Sequence, residues 1–407
     1  MGAPSARDSG RMTALAPPSA RPLPALPRAS RAPSVRHLSP QWYAAVMGTA
    51  AVAGAGAELR SGLSGGGSVH GVPVASALLG GVWVLAAAAL CVLLGARAVH
   101  WSLHRDRARA HLLDPAVAPF HGCLAMALLA VGAGAPTAGR EVLGPAALPV
   151  AAVLFATGTA VALVVAVAVP YLMVVRHRVA PEDASPVWLL PVVAPMVAAS
   201  CVPLLVPHAP PGQGREALLL AGYSLFGLSL LATGLILPVV FARLLHHGPP
   251  AAAAAPSLFL VLGPLGQSTT AVNKLADVAP GAVDASHARA LEALAVVYGV
   301  PVTGFALLWL GLATAVVVRA VRGGMPFTLG WWAFTFPVGT CVTAAWALAG
   351  HTGLAAYRGL AVALYGVLVA AWAAAGALTL RALLRGELPA APPPAPGEPA
   401  PATARTR

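Results

Sequence analysis

Charge is scarce in this sequence. Asp, Glu, Lys and Arg together make up 9% of its 407 residues, where soluble globular domains carry about a quarter. That shortage excludes a soluble fold, which needs a polar surface to face water. Lysine is nearly absent, Lys274 being the only one. Cys91, Cys123, Cys201 and Cys341 show no CxxC spacing, so a disulfide or metal framework is not expected and they read as small packing residues. No GxxxxGK[ST] segment is present, so no ATPase domain of that kind is encoded. No Asp, Glu, Lys or Arg falls at the centre of a long apolar run, and the usual mark of a proton relay or coupling-ion site is therefore missing.

What is present is long apolar runs, in a chain that is 58% hydrophobic. Each run is about 19 to 29 residues long, enough to cross a hydrocarbon core that needs roughly 20 helical residues. Inside lipid every backbone N–H and C=O must be bonded within the chain, and unbroken runs rather than short alternating segments select helices over a barrel. The fold class is all-α and polytopic. Ten spans are expected, at about 41–59, 72–99, 116–134, 145–174, 187–206, 217–243, 257–276, 291–318, 327–348 and 355–381. They form a membrane domain over residues 39–385. Residues 1–38 and 386–407, rich in Pro, Ala and Arg without periodicity, read as disordered cytoplasmic tails, the first lacking the apolar core of a signal peptide.

The formal charge of +12 does not point to nucleic acid, because the basic residues sit in loops and tails. With the amino terminus inside, 19 of the 25 Lys and Arg fall on the cytoplasmic side, which predicts both termini cytoplasmic. Odd-numbered spans are short and hold the central breakers Gly48, Gly122, Pro191, Pro195, Pro264, Gly266, Pro337 and Gly339, whereas even-numbered spans are long. This alternation suggests a helical hairpin used five times.

The most polar buried stretch is "GPLGQSTTAVNK" at 263–274. Gln267, Ser268, Thr269, Thr270 and Asn273 would be unpaired against lipid, so the seventh span faces protein or water, either lining a cavity or bonding to neighbouring helices. Pro264 and Gly266 predict a break or bend near its start. His121 is the one His well inside a span, readable as a pore-lining donor or as a packing residue at the interface. Glu58, Asp277 and the other acids sit at span ends and read as solvated interface. An enzyme would need paired acids, a nucleophile with its base, or a metal set within the spans, and none is visible. No cofactor is expected.

Four segments carry a family resemblance over 39–381. "SPQWYAAVMGTAAVAG" (39–54) is similar to the opening aromatic–MGTG segment of the tellurite-resistance/dicarboxylate transporter family, which includes malate carriers, sulfite effluxers and slow-type anion channels; Ala50 stands where a second Gly is usual. "LDPAVAPFHGCLAMAL" (113–128) resembles its HP…F segment, with Asp114 for the His and His121 at a position more often apolar. "GPLGQSTTAV" (263–272) is similar to its GPPGQ segment, with Leu265 for the second Pro. "WWAFTFPVGT" (331–340) resembles its ninth-span WW(A/G)(Y/F)xFP segment.

The resemblance implies five hairpins around a central pore lined by the odd spans, in a homotrimer of separately conducting subunits, with a Phe of the ninth span plugging each pore. On this chain the plug is Phe336. The pore-lining candidates are Gly48, Thr49, Phe120, His121, Gly122, Pro195, Gly263, Pro264, Gly266, Gln267, Pro337 and Gly339. Pro337 and Gly339 would bend the ninth span beside the gate, and Trp331, Trp332 and Phe334 would anchor its inner end at the interface. The function expected is a plasma-membrane channel or permease for small anions: monovalent inorganic anions, tellurite or sulfite, or C4-dicarboxylates. A proton-coupled dicarboxylate or sulfite exporter is the alternative. A purely structural or receptor role predicts no flux.

Overall fold

A computed structural model describes residues 35–63 and 72–386, with Gly2 and Leu388 besides. Most of the two predicted tails lies outside the described residues. The described part is helical, with no strand among the described residues. Ten helices of 13 to 38 residues run through it: α1 (Tyr43–Leu63), α2 (Val72–Leu103), α3 (Gly122–Gly134), α4 (Ala147–Val175), α5 (Leu189–Cys201), α6 (Gln213–His247), α7 (Leu262–Val278), α8 (Ala285–Arg322), α9 (Phe336–Thr352) and α10 (Ala355–Leu384). Two short helices, Arg105–Leu113 and Arg140–Leu143, lie in the connections.

Short and long helices differ in burial. All thirteen residues of α5 are buried, as are fourteen of the seventeen in α7. Only six of the 35 residues of α6 and seven of the 38 in α8 are buried. The long helices instead expose large aliphatics, among them Val167, Leu231, Leu235 and Val297, each at 70% or more. Water would not tolerate such a surface, and hydrocarbon requires it.

The odd helices make a closed inner ring, α1 packing on α3, α3 on α5, α5 on α7, α7 on α9 and α9 back on α1. Each even helix lies outside, against the two inner helices that flank it in sequence, α10 against α9 and α1. Side chains fasten the layers: Trp83 Nε1 on α2 donates to Val131 O at 3.0 Å, Ser229 Oγ on α6 to Val192 O at 2.6 Å, and Tyr365 Oη on α10 to Val52 O at 3.2 Å. Without a hydrophobic drive between helices in lipid, such bonds and close packing hold a bundle together.

Every inner helix is entered through a 3-10 turn: Pro40–Trp42, Ala118–His121, Pro186–Trp188, Ala252–Val261 and Leu329–Phe334. The repeated entry accounts for the prolines. Pro264 and Pro337 fall in the first turn of α7 and α9, where the missing N–H has no helical acceptor to lose. The break expected near the start of the seventh span is present as a 3-10-to-α junction between Val261 and Leu262, just before Pro264 and Gly266, and the ninth span changes helix type likewise at Thr335, just before Pro337 and Gly339.

Seven helices among the described residues are long and apolar enough to cross a membrane, eight when the pair Arg105–Leu113 and Ala118–Gly134, bent by 112°, is taken as one span. The chain is a multi-pass membrane protein. The α2 helix runs to Leu103, past the expected end at 99, and Arg97, near the end of the expected span, is 9% exposed and 5.8 Å from the centre of the Tyr43 ring.

Candidate functional site: two cavities that meet at Phe336

Two cavities lie along the axis of the inner ring. The larger, of about 620 Å³, is lined by early residues of the odd helices, such as Met47, Cys123, Val193 and Gly263, and by Trp332 from the turn before α9. The smaller, of about 110 Å³, is lined by later residues of the same helices, such as Gly54, Ala133, Ser200, Thr270 and Thr343. The five inner helices therefore run parallel, and the cavities are successive levels of one axis. Phe336 lines both, and among the described residues no other does.

The local sequence explains how the ring reaches that place. Thr335 ends the 3-10 turn at φ −98°, ψ −81°, with its Oγ1 donating to Trp332 O at 2.6 Å. Phe336 is the first residue of α9 and is 8% exposed. Its backbone lies at a junction between two helix types rather than in mid-helix.

The two levels differ in chemistry. The inner wall of the larger is mostly apolar, with Gln41, Asp183, Ser185 and Thr328 among its polar groups. The smaller carries Ser200, Gln267, Thr270, Thr340 and Thr343. Gln267 Nε2 donates to Ser200 Oγ, and the hydroxyls of Thr270 and Thr343 are 2.8 Å apart. Across this level Lys274 Nζ on α7 donates to Glu58 Oε1 on α1. The Ser200, Thr340 and Thr343 hydroxyls donate to Val197 O, Pro337 O and Thr340 O, so the level holds neutral polar groups and one neutralised cation beyond an aromatic constriction, a pattern suited to weak attraction of a small anion.

The sequence-predicted residues divide. Phe120, Gly263 and Pro337 line the larger cavity, and Gln267 and Gly339 the smaller. Gly48, Thr49, His121, Gly122, Pro195, Pro264 and Gly266 line neither. Gly122 and Gly266 serve backbone contact instead: a Cβ at Gly122 would stand 2.5 Å from Leu190 O, and one at Gly266 2.6 Å from Cys341 N. Thr49 Oγ1 accepts from Trp372 Nε1 at 3.1 Å and donates to Ala45 O at 2.8 Å. Pro195 is inside the fully buried α5, and Pro264 is buried in the first turn of α7. His121 Nδ1 is 3.0 Å from Ala118 O, the packing arrangement that was its other reading.

The polar stretch of α7 does both of the things expected of it. Gln267 and Thr270 face the small cavity, while Ser268 and Thr269 donate back to Leu265 O and Asn273 Nδ2 donates to Thr269 O at 2.8 Å. The aromatic belt needs correction at Trp332, which is 5% exposed and donates through Nε1 to Thr379 Oγ1 at 3.0 Å. Phe334 meets Phe259 edge-on, with ring centres 4.8 Å apart.

Glu58 is the residue whose sequence reading misses most. It is half-buried at a cavity wall rather than solvated, and paired with the chain's one lysine. The singularity of Lys274 was the available signal, but nothing local connects it to a residue 216 positions away.

The voltage-dependent anion channel family profile matches residues 37–380. Among curated proteins, the chain is 32% identical to a sulfite efflux pump of Trichophyton rubrum over 191 residues, which is 46% of this chain and 50% of the relative. It is 32% identical to one from Arthroderma benhamiae over the same shares. The aligned part spans about half the length of those pumps. It is also 24% identical to an uncharacterised transporter of Methanocaldococcus jannaschii over 309 residues, 76% of this chain and 82% of the relative. These relatives are transporters rather than enzymes, and the match covers the whole helical region described above: the chain belongs to the voltage-dependent anion channel (SLAC1) family.

Proposed function

We propose that the protein is a permease for small anions, with the path running through the two cavities and Phe336 as its gate. The observation that carries this reading is that, among the described residues, Phe336 alone lines both levels. An anion reaching the ring from the larger cavity would lose hydration with nothing offered in exchange, which closes the path. Displacing the ring would bring it to the Gln267 amide and the other polar side chains of the smaller level.

In this reading the ten helices all cross the plasma membrane, both termini are cytoplasmic, and the unit is a homotrimer with one pore per subunit. The exposed aliphatics of the even helices support the lipid contact, and the bias of Lys and Arg supports the orientation. Sulfite is the substrate to try first, because two relatives are named as sulfite efflux pumps; tellurite, nitrate, chloride and C4-dicarboxylates follow. The test is anion flux in liposomes containing the purified protein, wild type against Phe336→Ala. No flux of any of these anions in either would overturn the permease reading, and equal flux in both would overturn the gate.

The naming of those relatives as efflux pumps also favours a second reading, a proton-coupled exporter of sulfite or dicarboxylate. Flux that is unchanged when the pH gradient is collapsed at fixed voltage would overturn it.

A further inference from the structure

The gate reading makes no use of the ion pair on the polar level. Lys274 and Glu58 bridge α7 and α1 there, with side chains 29% and 26% exposed. A partly buried pair of this kind is a weak source of stability, since desolvation of both charges offsets their attraction. Yet it is where the only lysine of the chain stands, on the wall of an ion-sized space.

The surroundings are those of an oxyanion site. An ammonium has three donors and no acceptor, and the pairing that holds it is to a carboxylate oxygen, the same kind of atom that an oxyanion presents. Ser200, Gln267, Thr270 and Thr343 line the same cavity and supply neutral polar groups. The next acid along α7, Asp277, lies 2.8 Å from His351 Nε2 and is engaged there. A water needs about 10–15 Å³ of such space, so 110 Å³ admits a small anion with part of its hydration.

We propose that Lys274 is a binding site for a small oxyanion in the polar cavity, and that the Glu58 carboxylate is a built-in competitor which holds the ammonium until the anion displaces it. The inference rests on the anion-permease reading and deepens it. A free lysine in a confined space would hold an anion tightly and slow its exit. Competition from Glu58 weakens the site by the worth of the pair, keeping attraction in the range that conduction requires. The two residues would then set affinity, while Phe336 sets access.

The experiment is the concentration dependence of sulfite and nitrate flux in liposomes with the full-length protein. Lys274→Met is expected to raise the half-saturating concentration about tenfold or more, as loss of a charged hydrogen-bond donor does. Glu58→Gln is expected to lower it about threefold to fivefold, the worth of a partly exposed pair. The opposite signs are the signature of competition. If both variants weaken the anion equally, the pair is a structural clamp and the proposal fails; if neither changes the affinity, the anion does not bind there. Should a single variant not fold, the double variant Glu58→Gln/Lys274→Met, which buries no unpaired charge, must show the weak affinity expected of Lys274→Met. If the wild type passes no anion at all, the permease reading fails separately, and calorimetric titration of sulfite into wild type and Lys274→Met then decides the site alone: binding lost in the variant upholds it, and equal or absent binding overturns it.

Discussion

Gly48 and Thr335 are fitted to one another: a Cβ built on Gly48 would stand 2.1 Å from Thr335 Oγ1 and 2.8 Å from Thr335 Cβ. Thr335 immediately precedes Phe336, and its hydroxyl is already committed to Trp332 O at 2.6 Å. The missing side chain on α1 is therefore what allows the turn before α9 to sit where it does, and so places the aromatic ring between the cavities. Gly48, a pore-lining candidate from the sequence, lines neither cavity and packs against Trp332, which lines the larger one.

Gly48→Ala is expected to overpack this contact and lower stability by about 1–3 kcal/mol, read as a fall in Tm of the solubilised protein. Thr335→Ala in the same background should recover part of the loss by removing the hydroxyl, the atom nearest the new Cβ. Recovery of nothing would mean that the neighbours which remain, the Cβ of residue 335 at 2.8 Å and the Trp332 ring at 3.0 Å, set the cost.

Phe336→Ala is expected to raise anion flux about tenfold for each ~1.4 kcal/mol that the ring contributes to the barrier. Phe336→Leu, which keeps apolar bulk without the flat ring, should fall between. Conductance or liposome flux at one fixed anion gradient gives the order of the three proteins.

Gly266→Ala should be among the more damaging single changes outside the cavities. The added methyl would meet Cys341 N and Thr340 C at 2.6 Å, both backbone atoms that cannot rotate away, so α7 and α9 must separate. A loss of ~2 kcal/mol or more is expected, together with loosening of the Thr340 Oγ1 bond to Leu262 O. Thermal unfolding checks the first and disulfide cross-linking between α7 and α9 the second.

Asp284 caps α8, its carboxylate accepting from Ser286 N at 2.9 Å and His287 N at 3.1 Å. Hydrogen bonds from the Ser286 side chain, then from His287, hold its carboxyl well below the usual carboxylate range. A depressed folded-state pKa means that the stabilisation is present above the unfolded value near 3.9 and is lost as pH falls through the folded one. Asp284→Ala should lower Tm modestly at pH 6, and the difference from wild type should shrink as the pH is taken below about 3.

The sequence by itself determined the class of the protein and the approximate place of its helices. Hydropathy and the need to bond every backbone group in lipid are local properties, and local properties can be read along a chain. The short, breaker-rich character of the odd spans was legible for the same reason, and it marks the inner ring. The resemblance at "WWAFTFPVGT" was sufficient to single out Phe336.

Which face of each short helix meets a cavity was decided only by the tertiary structure. In α5 all thirteen residues are buried, so no pattern of polar and apolar positions marks the wall, and Pro195 could not be told from Val193. Gly122 and Gly266 were chosen correctly as special positions but for contact between backbones rather than for the pore. The joining of Glu58 to Lys274 needed α1 and α7 brought together across 216 residues. Composition records what each segment can tolerate; only the closed ring fixes which distant groups share one small space, because that sharing is set by the packing of all five helices at once.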